Sequence, residues 1–163
     1  MRSKRAGMGG FTMIELIVVV AIIALMSGIG LTTFLNLRDR RVVLADARLV
    51  EQNLREAQRR ALAGEKPAGC GANVLTGYQV RVEQEAIFQL AVCPGGAPVE
   101  KRADMAGSVL TSTLGTITFG AVKGGATAAV ISVCQEGSGK YLYQVEVNDA
   151  GSVEAPAEQP GPC

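Results

Sequence analysis

Two kinds of residue in this chain could do chemistry: one isolated acid and four cysteines. Glu15 stands near the head of an apolar stretch, FTMIELIVVVAIIALMSGIGLTTFLNL (residues 11–37), and no formal charge follows it until Arg38. A charge-free run of roughly 20 residues is long enough to cross a bilayer as a helix. An acid within or beside such a run costs on the order of a few kcal/mol if left unpaired, so Glu15 calls for a cation. The nearest preceding basic residue is Arg5, beyond Gly9 and Gly10, and the chain offers no neutralising residue beside the acid. Cys70, Cys93, Cys134 and Cys163 all follow the apolar run. An even number on one side of a membrane reads as disulfides formed in an oxidising compartment. Four cysteines allow three pairings. Cys70–Cys93 with Cys134–Cys163 is preferred, because each closes a moderate loop and the second ties down the Pro-rich tail.

The composition excludes more than it grants. There is no histidine among the 163 residues, which removes His-based triads, His metal sites and the commonest general base. Ser27, Ser108, Ser132, Ser138 and Ser152 therefore have no imidazole to activate them, and no P-loop or GxGxxG occurs. The cysteines form no CxxC pair, so a zinc site is not expected. No catalytic residue, cofactor or metal is assigned. Sixteen basic against fifteen acidic residues predict no strong non-specific pull on nucleic acid.

The elements that must position these residues follow from periodicity. A single helix is predicted from Thr12 to about Ala63. Its second half is amphipathic, with Val43, Ala47, Val50, Leu54, Ala57 and Ala61 recurring at alternating spacings of four and three. The other faces carry Glu51–Arg55 and Glu56–Arg60, i,i+4 pairs in the favourable order. Gly64 and then Pro67 supply the stop. The apolar stripe is read as docking on the chain's own sheet; a coiled-coil seam is disfavoured by alanine at three of its six positions. Strands are predicted at Tyr78–Val82 and Ala86–Cys93, joined as a hairpin by Gln84-Glu85. Residues 94–107 read as a loop. Strands 116–122 and 127–134 flank Lys123-Gly124-Gly125 as a second hairpin, and Tyr141–Val147 and a brief strand at Val153 follow. The tail APAEQPGPC reads as extended. The fold class is α+β: one long helix laid on an antiparallel sheet.

Gly10-Phe11-Thr12-Met13-Ile14-Glu15, behind the basic leader Arg2, Lys4, Arg5 and ahead of the apolar helix, resembles the processing signal of type IV prepilins and type II secretion pseudopilins. An ordinary secretory signal could use Gly28-Ile29-Gly30 as its cleavage site, and an uncleaved anchor could use the same leader. Neither accounts for Glu15. The resemblance implies a pilin-like fold, removal of residues 1–10 by a prepilin peptidase between Gly10 and Phe11, and N-methylation of Phe11. It also implies that Glu15 neutralises the N-terminal amine of a neighbouring subunit, a pairing that a low-dielectric filament core rewards. Where many pilins place a kinking proline in this helix, the chain has Thr32-Thr33, with Gly28 and Gly30 nearby.

A second, looser resemblance covers residues 116–163: ITF at 117–119, an apolar strand ending in Cys134, a YxVxV strand and Gly151-Ser152-Val153. It is similar to the FimT/FimU/GspH-type minor pilins. The parts implied are a leader (1–10), a transmembrane and filament-core helix (11–37), an amphipathic continuation (38–64) and a periplasmic β domain (65–163). The basic leader stays cytoplasmic, giving a single-pass inner-membrane protein that later enters the extracellular pilus. Its partners would be the peptidase, the membrane, and other minor and major pilins met through the helix. The implied function is a structural minor pilin that enters a type IV pilus or primes its assembly. The alternatives are a GspH-like pseudopilin of a type II secretion system and a FimT-like DNA-uptake pilin. The last needs basic residues in a GRxR-type motif, where this chain reads Gly151-Ser152-Val153-Glu154. Only Lys123 and Lys140 are basic after Arg102, so a nucleic-acid partner is not expected.

Overall fold

The computed structural model describes residues 11–95, 99–113, 115–137 and 139–161, without the side chains of 27–33, 99 and 100. Helix α1 runs Met13–Ala63, as the periodicity predicts. The chain divides into two compact units, residues 1–38 and 39–163.

In the second unit the helix stripe is the centre of the core. Val43, Ala47, Val50, Leu54, Ala57 and Ala61 are all buried and belong to one cluster with inward-facing residues of the strands. The spacing of four and three puts them on one face, and that face is covered by the chain itself, which removes the coiled-coil alternative. The flanks of that face carry Glu51–Arg55 at 2.8 Å and Glu56–Arg60 at 2.9 Å. The helix stops where expected. Gly64 takes φ +63°; its N–H donates to Ala61 O and that of Glu65 to Arg60 O. These are the two bonds of a Schellman turn, satisfying carbonyls that the helix end would otherwise orphan.

Eight strands follow: β1 (Gly77–Val82), β2 (Ala86–Val92), β3 (Val99–Asp104), β4 (Ser108–Ser112), β5 (Thr116–Gly120), β6 (Ala129–Gln135), β7 (Leu142–Val147) and β8 (Ala157–Gln159). They form two antiparallel four-stranded sheets, β3-β2-β1-β5 and β4-β6-β7-β8, where the pattern had suggested one. The β1–β2 hairpin is as predicted, with Glu83 N–H donating to Ala86 O across Gln84-Glu85. A side chain at Gly77 would collide with the Phe119 carbonyl, so the β1–β5 pairing depends on that glycine.

Three expectations are corrected. Residues 94–107 are not all loop: β3 lies within them as an edge strand, its sequence VEKRAD rich in the charges that guard sheet edges. The turn at 123–125 does not join paired strands. It opens with a Phe119–Ala126 bridge, but β5 then pairs with β1 and β6 with β4 and β7, so the chain crosses between sheets there. The tail is more than extended chain, because β8 pairs with β7 and the guanidinium of Arg40 on α1 binds Glu158 and donates to the Tyr143 hydroxyl at 3.4 Å. The second sheet buries Tyr143, Val145 and Val147 on one face, as the alternation requires.

Candidate functional site

The N-terminal unit contains the predicted processing site. Residues 1–10, including Gly10, lie outside the described residues. Phe11 is 80% exposed. Thr12 caps the helix, its Oγ1 accepting the Glu15 N–H at 3.3 Å. Thr-x-x-Glu is the sequence form of a capping box, a signal that sequence reading for the methylation site passed over. It gives Thr12 and Glu15 a local reason to start the helix here. An acid in the first turn also faces the positive end of the helix dipole. The Glu15 side chain is exposed, and among the described residues it makes no ion pair.

The apolar side chains behind it are equally uncovered. Met13, Ile14, Leu16, Ile17, Val18, Val19, Val20, Ile22, Ile23, Leu25 and Met26 are each about half exposed or more. Such a continuous apolar surface is far beyond what a free soluble chain tolerates and marks contact with lipid or protein. Among the described residues no helix is long and apolar enough to cross a membrane; the described side chains of this run stop at Met26 and resume at Phe34.

In the second unit the predicted bridge Cys70–Cys93 is present, with Cα atoms 5.7 Å apart, inside the usual disulfide range. It joins the segment after the helix to the end of β2. Around it Asn73 Nδ2 donates to Pro94 O at 2.7 Å, and the Tyr78 hydroxyl donates to Glu65 O at 2.9 Å. Cys134 is buried in β6 and disulfide-bonded. Cys163 lies outside the described residues.

Sequence reading missed a polar latch between helix and sheet. Gln89, buried in the apolar strand β2, donates through Nε2 to Asn53 O at 2.9 Å and Asn53 Oδ1 at 3.0 Å. Asn53 in turn donates to Leu49 O. Beside them the Glu56 carboxylate accepts from Lys101 at 2.6 Å and pairs with Arg60. The Lys101 hydrogen bond is the main cause holding Glu56 below the usual glutamate range, against the opposing cost of burial. A glutamine interrupting AIFQLAVC was the available signal, since a buried amide needs a partner.

With this geometry in place, residues 5–31 match the family model for the prokaryotic N-terminal methylation motif. Two crystal structures of the type IV minor pilin FimU from Pseudomonas aeruginosa PAO1 share the arrangement of helix and sheets. The P65 form is 14% identical with a TM-score of 0.51, covering 71% of this chain and 91% of FimU. The P21 form is 13% identical with a TM-score of 0.56, covering 75% and 96%. The chain bears a prokaryotic N-terminal methylation motif on a pilin fold. At these identities the likeness to FimU is one of fold. No curated protein matches this pilin-fold chain. Among its described residues no cluster of His, Cys, Asp or Glu could hold a metal ion.

Proposed function

We propose that the chain is a minor pilin, a structural subunit that a prepilin peptidase cuts between Gly10 and Phe11 and that then enters, or primes, a type IV pilus. The observation that carries this reading is the methylation motif at 5–31 set directly on a helix whose apolar side chains from Phe11 to Met26 are exposed. The role is structural and not enzymatic.

Cleavage frees an amine at Phe11, and methylation keeps it cationic. Before assembly the charge-free run from Leu16 to Leu37 holds the subunit in the inner membrane, with the β domain in the periplasm. In the filament the same surface packs against other pilin helices, and the amine of one subunit meets Glu15 of its neighbour. The pairing is favourable because a buried carboxylate left alone costs several kcal/mol. Cys134 pairs with Cys163, fixing the tail that β8 and Arg40 already hold.

Intact mass of the chain recovered from membranes or sheared filaments tests the reading. The expected species lacks residues 1–10, carries one added methyl group and contains two disulfides. A mature chain that still begins at Met1 ends the proposal. Glu15→Ala is expected to be cut normally and to enter filaments at least about ten-fold less, since breaking a buried ion pair costs roughly 3–5 kcal/mol. Unchanged entry removes Glu15 from the assembly step.

A further inference from the structure

The solvent side of α1 carries charge of one sign. Arg41, Ala45, Arg48, Gln52, Arg55 and Arg59 are all exposed and recur at spacings of four and three, a line of roughly 27 Å along the helix axis. No acid falls on it. Glu51 and Glu56 stand at its flanks, the first taken by Arg55 and the second by Arg60 and Lys101. Arg55 also donates to Val153 O at 3.2 Å. Among the described residues Arg41, Arg48 and Arg59 have no ion-pair partner. All seven basic residues from 38 to 60 are arginine and none is lysine. Arginine's weakly hydrated fork matches carboxylates and is enriched at interfaces, where lysine is depleted. Solubility alone does not require that choice.

The complementary charge lies elsewhere in the same unit. From Tyr141 to Cys163 the chain has four acids and no base. Glu158 is taken by Arg40 of α1, which shows the two segments already matched within one chain. Glu146, Asp149 and Glu154 are exposed, and among the described residues they have no ion-pair partner. Val147 bridges Val153, and Glu154 N–H donates to Glu146 O at 2.9 Å, so Glu146 and Glu154 stand opposite each other across the two strands. Like charges in that position destabilise a sheet. A cation supplied from outside would remove the cost.

The arginine line and the acid pair face away from each other. Val145 and Val147 belong to the core that the buried stripe of α1 completes, so Glu146 between them points outward from the second sheet. The arginines look out from the opposite side of that core. Two complementary faces on different sides of one molecule make a head-to-tail contact, which repeats as an open filament where its rotation does not close a ring.

We propose that the arginine line of α1 docks on the Glu146–Glu154 face of a second copy of the chain. The contact deepens the assembly reading above and rests on it for its setting in a filament. Its test uses the full chain in detergent micelles, which cover the apolar run, with self-association read by sedimentation. The wild-type chain is expected to associate reversibly, and more weakly as added salt screens the exposed charges. One variant carries Arg41→Glu, Arg48→Glu and Arg59→Glu; the other carries Glu146→Lys and Glu154→Lys. Each alone should lose at least about ten-fold in self-affinity. Mixed together they should associate again, since the helix face of each now suits the sheet face of the other. The unfolding midpoints of both should match wild type, because none of the replaced side chains has an ion-pair partner within the chain. A wild-type chain that does not associate, a variant that associates as well as wild type, or a mixture that stays silent overturns the proposal. So does an arginine variant that loses binding to anionic phospholipid vesicles or duplex DNA while its self-association is unchanged. If the processed chain is found in filaments and the mixture is silent, the pilin reading stands and this contact falls. If the mixture associates and the mature chain still begins at Met1, the contact stands and the pilin reading falls.

Discussion

The two halves of α1 solve opposite problems with the same backbone. Between Val43 and Ala61 one stripe is apolar, and every member is buried by the chain's own strands. Between Phe11 and Met26 nearly every side chain is apolar, and among the described residues nothing buries them. The difference is in what completes each half. Residues 39–63 are part of a finished core, so their sequence is explained by intramolecular packing. Residues 11–26 are exposed, so their sequence is not explained by packing among the described residues. Glu15 belongs to the unfinished half and Glu56 to the finished one. Glu56 has Lys101, Arg60 and Gln89 around it, whereas Glu15 makes no ion pair among the described residues.

A pair of alanine substitutions separates the halves most sharply. Leu54→Ala removes a fully buried side chain and is expected to destabilise the β domain by about 2–5 kcal/mol. Ile17→Ala, at a 61% exposed position, is expected to leave that domain unchanged. The chain has three tyrosines and no tryptophan, and Tyr78, Tyr141 and Tyr143 all lie in the second unit. Tyrosine fluorescence during denaturant unfolding of the full chain therefore reads the finished half alone. Equal shifts from both variants would show that the halves fold as one.

The disulfide probes the finished half from another side. Replacing Cys70 and Cys93 by serine opens a closed loop with a sequence separation of 23, worth about 3 kcal/mol by loop entropy. The loss should appear in the tyrosine transition, with processing and membrane retention unaltered. An unchanged midpoint would mean that the contacts of Asn73 and Tyr78 hold this segment without the bridge.

The contrast between halves also explains what was legible. The stripe was readable because a 3.6-residue period records burial directly, and the stop at Gly64 because a left-handed cap has few solutions. The methylation motif was readable because processing requires a short local signal. Strand β3 escaped because Glu100, Lys101 and Arg102 belong to an edge, where charge replaces apolar alternation. The division into two sheets escaped because strand partners are set by tertiary packing: nothing local in TITFG says that it pairs with β1 and not with the strand that follows. Asn53 and Gln89 escaped as a pair because they lie 36 residues apart.

The latch gives the smallest and most diagnostic effect, because it carries a sign in pH. Lys101 beside Glu56 lowers its folded-state pKa below the ordinary 4.5. A depressed carboxylate contributes stability that is fully present above the unfolded value and is lost as pH falls through the folded value. The wild-type chain should therefore exceed Glu56→Gln in stability at neutral pH, by about 1 kcal/mol for a partly exposed network. That advantage should shrink as acidification passes below 4.5, and the two unfolding curves should converge at the acid end. Glu51→Gln is the control: it loses the i,i+4 partner of Arg55, whose guanidinium keeps its hydrogen bond to Val153 O, and leaves the Lys101 contact of Glu56 in place. If the Glu56→Gln deficit were the same at every pH, the contribution of Glu56 would come from packing and not from its charge. The finished half of the helix would then owe its register to the apolar stripe and the Asn53–Gln89 contact alone.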